Sequence, residues 1–230
     1  MAIEISLDAK SPARALVMEL EGVVVPTRRV IFETVRSVLS EQGVSFDEAA
    51  MMRHGLHAVP AHMVNDIADH FGLRAAARTG LLGKLTKALA DHFRSGAVTM
   101  ALGLDRILDA ARDAGGVLGV LSWQEEDAAR ALIEKTGLIR WDPQVFCSPQ
   151  PDHEFPGADV WLKALKALGR GPRSAAALCS ARSAARSALA AGMRVVVVPD
   201  EFTSYQDFGG VDAMTDHISD VTVDQLFGRF

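Results

Sequence analysis

The feature that most limits what this chain can fold into is a set of short apolar runs, without polar alternation, spaced by stretches of helical periodicity. The runs fall at residues 15–20, 117–121, 175–179 and 194–198, with a weaker one at 221–223. Continuous apolar runs of this length predict strands covered on both faces of a parallel sheet. Between them, Ile31, Val35, Val38 and Leu39 share one helical face, as do Leu104, Ile107, Leu108 and Ala111. Trp161, Leu165 and Leu168 make a third stripe, and Ala181, Ala184, Ala185, Ala188 and Leu189 a fourth. Gly192 stands where a helix end needs positive φ, directly before the VVVV run. This alternation predicts an α/β protein with a doubly wound parallel sheet.

One stretch interrupts the rhythm. Residues 28–96 show only helical periodicity, punctuated by Gly43, Gly55, Pro60 and Gly72. The expected organisation is a Rossmann-like core from residues 1–27 and 97–230, with 28–96 inserted as a helical cap over the sheet's C-terminal edge. The Ala-rich segment 174–191 is periodic and reads as strand plus close-packed helix.

Composition excludes several classes. At 230 residues the chain can bury a core without disulfide or metal staples. Its two cysteines, Cys147 and Cys179, form no CxxC unit and fit a reducing compartment. A net charge of −5 argues against a nucleic-acid-binding module. No stretch approaches the roughly 18 apolar residues of a membrane span. Residues 1–13 are acidic and interrupted, without the apolar segment of a signal peptide. A cytoplasmic location is expected, with contact to neither nucleic acid nor membrane.

Four segments then carry a family resemblance. ALVMELEGVVVPT at residues 15–27 resembles the first motif of haloacid dehalogenase-like hydrolases, an apolar strand followed by Asp-x-Asp-Gly-Thr. GVLGVLSW at 116–123 resembles the second, a strand ending in Ser or Thr. FPGADVWLKALKALG at 155–169 resembles the third, Lys-Pro followed by a helix. LCSARSAARSALAAGMRVVVVPD at 178–200 resembles the fourth, Glu-Asp-Ser, a helix, then Ala-Gly-Met. The match runs from about residue 11 to residue 226 in the family's order, and the insertion point resembles that of the capped phosphatase and phosphoglucomutase branch.

The resemblance implies phosphoryl-transfer chemistry whose polar groups are largely replaced here. In the family an Asp attacks phosphorus, a second Asp moves protons, and a magnesium ion and a Lys meet the developing charge. The nucleophile position is Glu19 and the acid–base position Glu21. The extra methylene of Glu displaces its carboxylate by about an ångström, and a misplacement of that order costs about 100-fold in rate. Val23 stands for the Thr, Phe155 for the Lys, and Cys179 and Ser180 for the two acids of motif four. Lys163 and Lys166 lie a helical turn or more too late. A neutral Ser180 oxygen is a poor ligand for a hard cation, so no metal site and no cofactor are expected, unless Asp152 or Asp200 rebuilds one.

Only Ser122 survives unchanged, with bulky Trp123 beside it. Its hydroxyl suits phosphate binding or capping of a helix starting near Gln124. His54, His57, His62 and His70 lack zinc-site spacing and read as surface or cap-packing residues. Arg170, Arg173, Arg182 and Arg186 form a basic run, usually a solvated face. Arg182 falls in the first turn of the motif-four helix, where a cation is unfavourable unless an anion faces it. The expectation is a salt bridge from Arg182 to Glu19 or Glu21, or an anion held by Arg182 and Ser122.

Concerted loss of these groups predicts an inactive or weakly active member that works by binding a small anionic or phosphorylated ligand or a protein partner. The alternatives are a phosphomonoester hydrolase with Glu19 as nucleophile, and a module whose cleft is packed shut.

Overall fold

A computed structural model of the chain describes residues 14–95, 98–148 and 154–228. Residues 1–13 and Asp152, on which two of the expectations above fall, lie outside this set. Six parallel strands form one sheet in the order β3-β2-β1-β4-β5-β6. They are β1 (Ala15–Glu19), β2 (Val117–Ser122), β3 (Gln144–Cys147), β4 (Ala175–Cys179), β5 (Arg194–Val197) and β6 (Ala213–Met214). The four strong apolar runs are thus β1, β2, β4 and β5. Glu19 pairs with Leu121 across β1 and β2, and Met18 with Leu178 across β1 and β4.

Strand alternation divides the sheet into two buried faces. Leu16, Met18, Val120, Leu178 and Val196 join one apolar cluster, shared with α5 (Leu104–Asp113), α6 (Glu126–Lys135) and Leu226 of α9 (Val223–Phe227). Ala15, Val17, Leu121, Ala177 and Val197 join the other, shared with α7 (Ala158–Ala167) and α8 (Arg182–Ala190). The alanine stripe of α8 places Ala184, Ala185 and Ala188 on this buried face. Gly192 takes φ 77° just after α8 and returns the chain to β5.

Four helices follow β1 ahead of α5: α1 (Arg28–Ser40), α2 (Glu48–His54), α3 (Pro60–Phe71) and α4 (Ala75–Arg94). They share a third apolar cluster, built on Phe32, Val35, Leu39, Met51, Met63, Ile67, Leu81 and Leu85, which Phe202 enters from the segment after β5. Pro60 opens α3, where its missing N–H costs nothing. No helix among the described residues is long and apolar enough to cross a membrane.

Two features differ from expectation. The run 221–223 is no strand, because Thr222 and Gln225 form a capping box that starts α9 at Val223. The edge strands β3 and β6 carry apolar runs of only three and two residues, and edge strands exposed to solvent do not need longer ones.

The sheet order reverses at β1, with β2 on one side and β4 on the other. That reversal opens a crevice at the C-terminal ends of β1 and β4, where ligands bind in sheets of this kind. Trp161 is the anchor of α7, fully buried, with its Nε1 donating to Ser187 Oγ at 2.9 Å. Trp161→Ala should lower stability by about 3–5 kcal/mol in denaturant unfolding. Its exposed neighbour is the control: Leu162→Ala should stay within about 0.5 kcal/mol of wild type.

Candidate functional site

Buried polar groups mark the crevice. Among the described residues these are Glu19, Glu21, Thr27, Ser122, Ser180 and Thr203. Glu19 ends β1 at 4% exposure, and Glu21 follows at 6% on a turn that folds back over the strand end. Val24 N–H donates to the Glu19 carbonyl at 3.1 Å, and Val25 N–H to the Leu20 carbonyl at 2.9 Å. Gly22 makes this turn possible with φ 103°, which an L side chain rarely adopts. The two carboxylates each leave one oxygen, Oε2, buried without a hydrogen-bond partner.

Glu21 is tied to the end of β2. Ser122 Oγ donates to Glu21 Oε1 at 2.7 Å, and Gln124 Nε2 donates to the same oxygen at 2.6 Å. Gln124 N–H in turn donates to Ser122 Oγ at 3.0 Å. The Ser122 hydroxyl is therefore occupied on both its donor and acceptor sides. Helix α6 begins later, at Glu126, so Ser122 braces the turn before the helix without capping it. Gln124 escaped the sequence reading, since nothing in its neighbours signals a buried partner.

The permanent cation at this crevice is Arg28, the first residue of α1. Its Nη1 and Nη2 each donate to Ser180 Oγ at 3.1 Å, and Nη1 also meets Asp200 Oδ2 at 2.5 Å. Ser180 Oγ donates onward to the Gly22 carbonyl at 3.3 Å. Asp200 Oδ1 accepts from Phe202 N–H and Thr203 Oγ1, at 3.0 and 3.1 Å. A Cβ added to Gly22 would sit 3.6 Å from both Arg28 Nη2 and Ser180 Oγ, so the guanidinium lies against the turn itself.

The salt bridge expected of Arg182 is not formed. Arg182 is exposed on α8, and among the described residues it pairs with neither glutamate. Its backbone N–H donates to Gln206 Oε1 at 2.8 Å. The first-turn position points Arg182 outward, whereas α1 enters directly over the crevice and delivers Arg28 there. A sequence cue existed: α1 has no acid in its first turn but two arginines, an arrangement that needs carboxylates from elsewhere.

Burial dominates the electrostatics. It pushes Glu19 up to about 8, with the Glu21 charge adding to the rise and Arg28 opposing it. Burial also raises Glu21, against the hydrogen bonds from Gln124 and Ser122. The Cys179 thiol, beneath Glu19, is pushed well up by burial, so no thiolate is available there. Phe155 is 1% exposed and joins the apolar cluster containing Leu121, Trp161 and Val59.

His57 bridges the helical insert to the core. Its Nδ1 lies 2.8 Å from Glu154 Oε2 and its Nε2 3.1 Å from Asp66 Oδ2. The Glu154 hydrogen bond pushes His57 up to about 9, and Asp66 adds to this while burial opposes it. His54 approaches Asp66 Oδ1 at 3.0 Å and stacks on His70. No group of three or more His, Cys, Asp or Glu side chains suited to a metal occurs among the described residues.

These residues do not fit a magnesium ion. Glu21 Oε1 is taken by Ser122 and Gln124, and Ser180 and Asp200 are both taken by Arg28, which leaves only Glu19 and one oxygen of Glu21 for a cation. Asp200 therefore rebuilds no metal site; it balances an arginine. The crevice lined by Glu19, Glu21, Thr27, Arg28 and His57 holds about 20 Å³, room for one water.

No family model matches the chain. Among curated proteins, Protein CbbY of Rhodobacter capsulatus is 25% identical over 214 residues, spanning 86% of this chain and 91% of that protein. Among solved structures, a CbbY variant from Rhodobacter sphaeroides in complex with xylulose-(1,5)-bisphosphate superposes with a TM-score of 0.76 at 17% identity, over 94% of this chain and 99% of that one. β-Phosphoglucomutase from Clostridium difficile gives 0.74 at 13% identity, over 92% and 94%. A conserved haloacid dehalogenase-like protein from Agrobacterium tumefaciens gives 0.72 at 18% identity, over 90% and 95%. The chain has the haloacid dehalogenase-like fold, as its four motif segments suggested.

Glu19, and Glu21 in the same sense, hold protons in the folded protein that the unfolded chain releases above its ordinary value of 4.5. Their stabilising contribution is complete below pH 4.5 and is lost as pH rises through about 8 for Glu19. Stability should therefore fall with pH in this window, by up to about 1.4 kcal/mol per unit for each proton. His57 adds a slope of the same sign only above 6.5, and His92, held below 6.5 by burial, adds one of opposite sign beneath that value, so the glutamate part is read from the difference between wild type and variant. Urea unfolding of Glu19→Gln should show a flatter profile in that window; an unchanged slope would contradict the assignment. Arg28→Ala, which strands Asp200 and removes the charge facing Glu19, should cost about 3–5 kcal/mol. Arg182→Ala should cost less than about 0.5 kcal/mol.

Proposed function

We propose that this chain is a non-catalytic relative of the haloacid dehalogenase-like phosphatases, with residues 28–96 as its cap and its former reaction centre closed into a structural core. The observation that carries this reading is the Arg28 guanidinium held between Ser180 and Asp200. Phosphoryl transfer needs an ionised nucleophile, a free cation and space for the phosphoryl group. Glu19 keeps its proton to about pH 8, which removes the first. Arg28 is committed to Asp200 and Ser180, which removes the second. A crevice of about 20 Å³ cannot admit a phosphoryl group without movement of the insert.

Phe155 extends the same logic. Where the family's motif has a lysine, this aromatic ring packs with Val59 of the insert and Leu121 of the core. An apolar side chain here favours closure by removing its surface from water, and it offers no charge to a phosphate. Function then lies in binding, with a small anionic molecule as the ligand class that fits an acidic protein carrying local arginine clusters.

The test is turnover of p-nitrophenyl phosphate and of sugar phosphates with magnesium present. Wild type should match a heat-denatured control. Turnover at about 1 s⁻¹ or faster, abolished in Glu19→Ala, would establish Glu19 as a nucleophile and overturn the reading.

A further inference from the structure

Outside the closed crevice, a second and wider cavity of about 450 Å³ lies between α2 of the insert and α8 of the core. This is within the size range of small-molecule sites. Its wall carries Arg53 from α2 and Arg182 and Arg186 from α8. All three are exposed, and among the described residues none of their side chains forms an ion pair or hydrogen bond. The carboxylates on the same wall are already engaged: Glu154 with His57, and Asp66 with both His57 and His54.

This arrangement is unfavourable as it stands. Arg182 and Arg186 are like charges four residues apart, which repel on a helix surface. Arg182 also opens α8 at its positive end, where the first turn has no acidic residue and only the neutral Gln206 Oε1 meets a backbone N–H. Arg28 and Arg29 face the same problem at the start of α1, and there Asp200 and Glu201 answer it. At α8 no carboxylate does. The cavity supplies the space in which an external anion would.

We infer that Arg53, Arg182 and Arg186 form a binding site for a compact phosphate-type polyanion, separate from the closed crevice. Planar arginine forks match phosphate oxygens bidentately, and three of them around one cavity favour two linked anionic groups over one. The inference does not depend on the loss of catalysis proposed above, because the two cavities share only Leu56, His57 and Ser183, and none of the three arginines lines the crevice.

Isothermal titration at low salt with pyrophosphate and with inorganic phosphate tests it. Pyrophosphate should bind more tightly than phosphate, without magnesium. Arg182→Ala/Arg186→Ala should weaken pyrophosphate binding by about tenfold or more, and Arg53→Ala, on the other helix, should weaken it independently. Arg173→Ala, exposed elsewhere, should change nothing. Without anion the double variant should melt no lower than wild type, since it loses a repulsion and no contact. Absence of pyrophosphate binding, equal weakening by Arg173→Ala, or loss only in Arg28→Ala would overturn the site. Each of those results leaves the turnover assay of the crevice unaffected, so the two readings fail separately.

Discussion

Arg28 is the constraint on which the rest of the site depends. Two buried glutamates at the reversal of a parallel sheet need a positive charge, a proton or water. Arg28 faces Glu19 with a permanent charge, Ser122 and Gln124 donate to Glu21, and burial favours the protonated form of both. Because the guanidinium comes from the first turn of α1, charge balance at the sheet edge and attachment of the helical insert become one interaction. Asp200 completes it from the segment after β5.

The insert is held down by a ring of such contacts. Arg29 meets Glu201, His57 meets Glu154, and the Tyr205 hydroxyl donates to the Met52 carbonyl. Phe202 enters the insert's own apolar cluster from the same segment that carries Asp200 and Glu201. Arg29 also lies over the Phe202 and Phe32 rings, 5.0 and 5.6 Å from their centroids. Closure is thus distributed over polar and apolar contacts. Exposed pairs such as Arg29–Glu201 contribute little individually, whereas the part-buried Arg28 cannot be removed without leaving carboxylates unanswered.

The core sheet was legible in the sequence because its central strands are buried on both faces, and continuous apolar runs have few other uses. The helical insert was legible for the complementary reason, a long stretch with only helical period. β3 and β6 were not, since edge strands carry no comparable pattern, and 221–223 misled because a capping box outweighs three β-compatible residues. At the site, Glu19, Glu21, Ser122 and Ser180 could be placed together from the motif segments. Their partners could not. Gln124 and Asp200 act through side-chain directions that spacing does not encode. Choosing between Arg28 and Arg182 required knowing the angle at which each helix meets the sheet.

The central claim is that an internal arginine occupies the role a divalent cation would otherwise fill. Its most direct test is the melting temperature of the wild-type protein under magnesium titration at constant ionic strength. A ligand at a hundredfold excess over its dissociation constant adds about 2.7 kcal/mol to stability, a shift readily seen in a domain of this size. No magnesium-specific shift is expected at concentrations up to about a hundredfold above the micromolar range. A saturable rise in melting temperature, abolished by Glu19→Gln or Glu21→Gln, would contradict it.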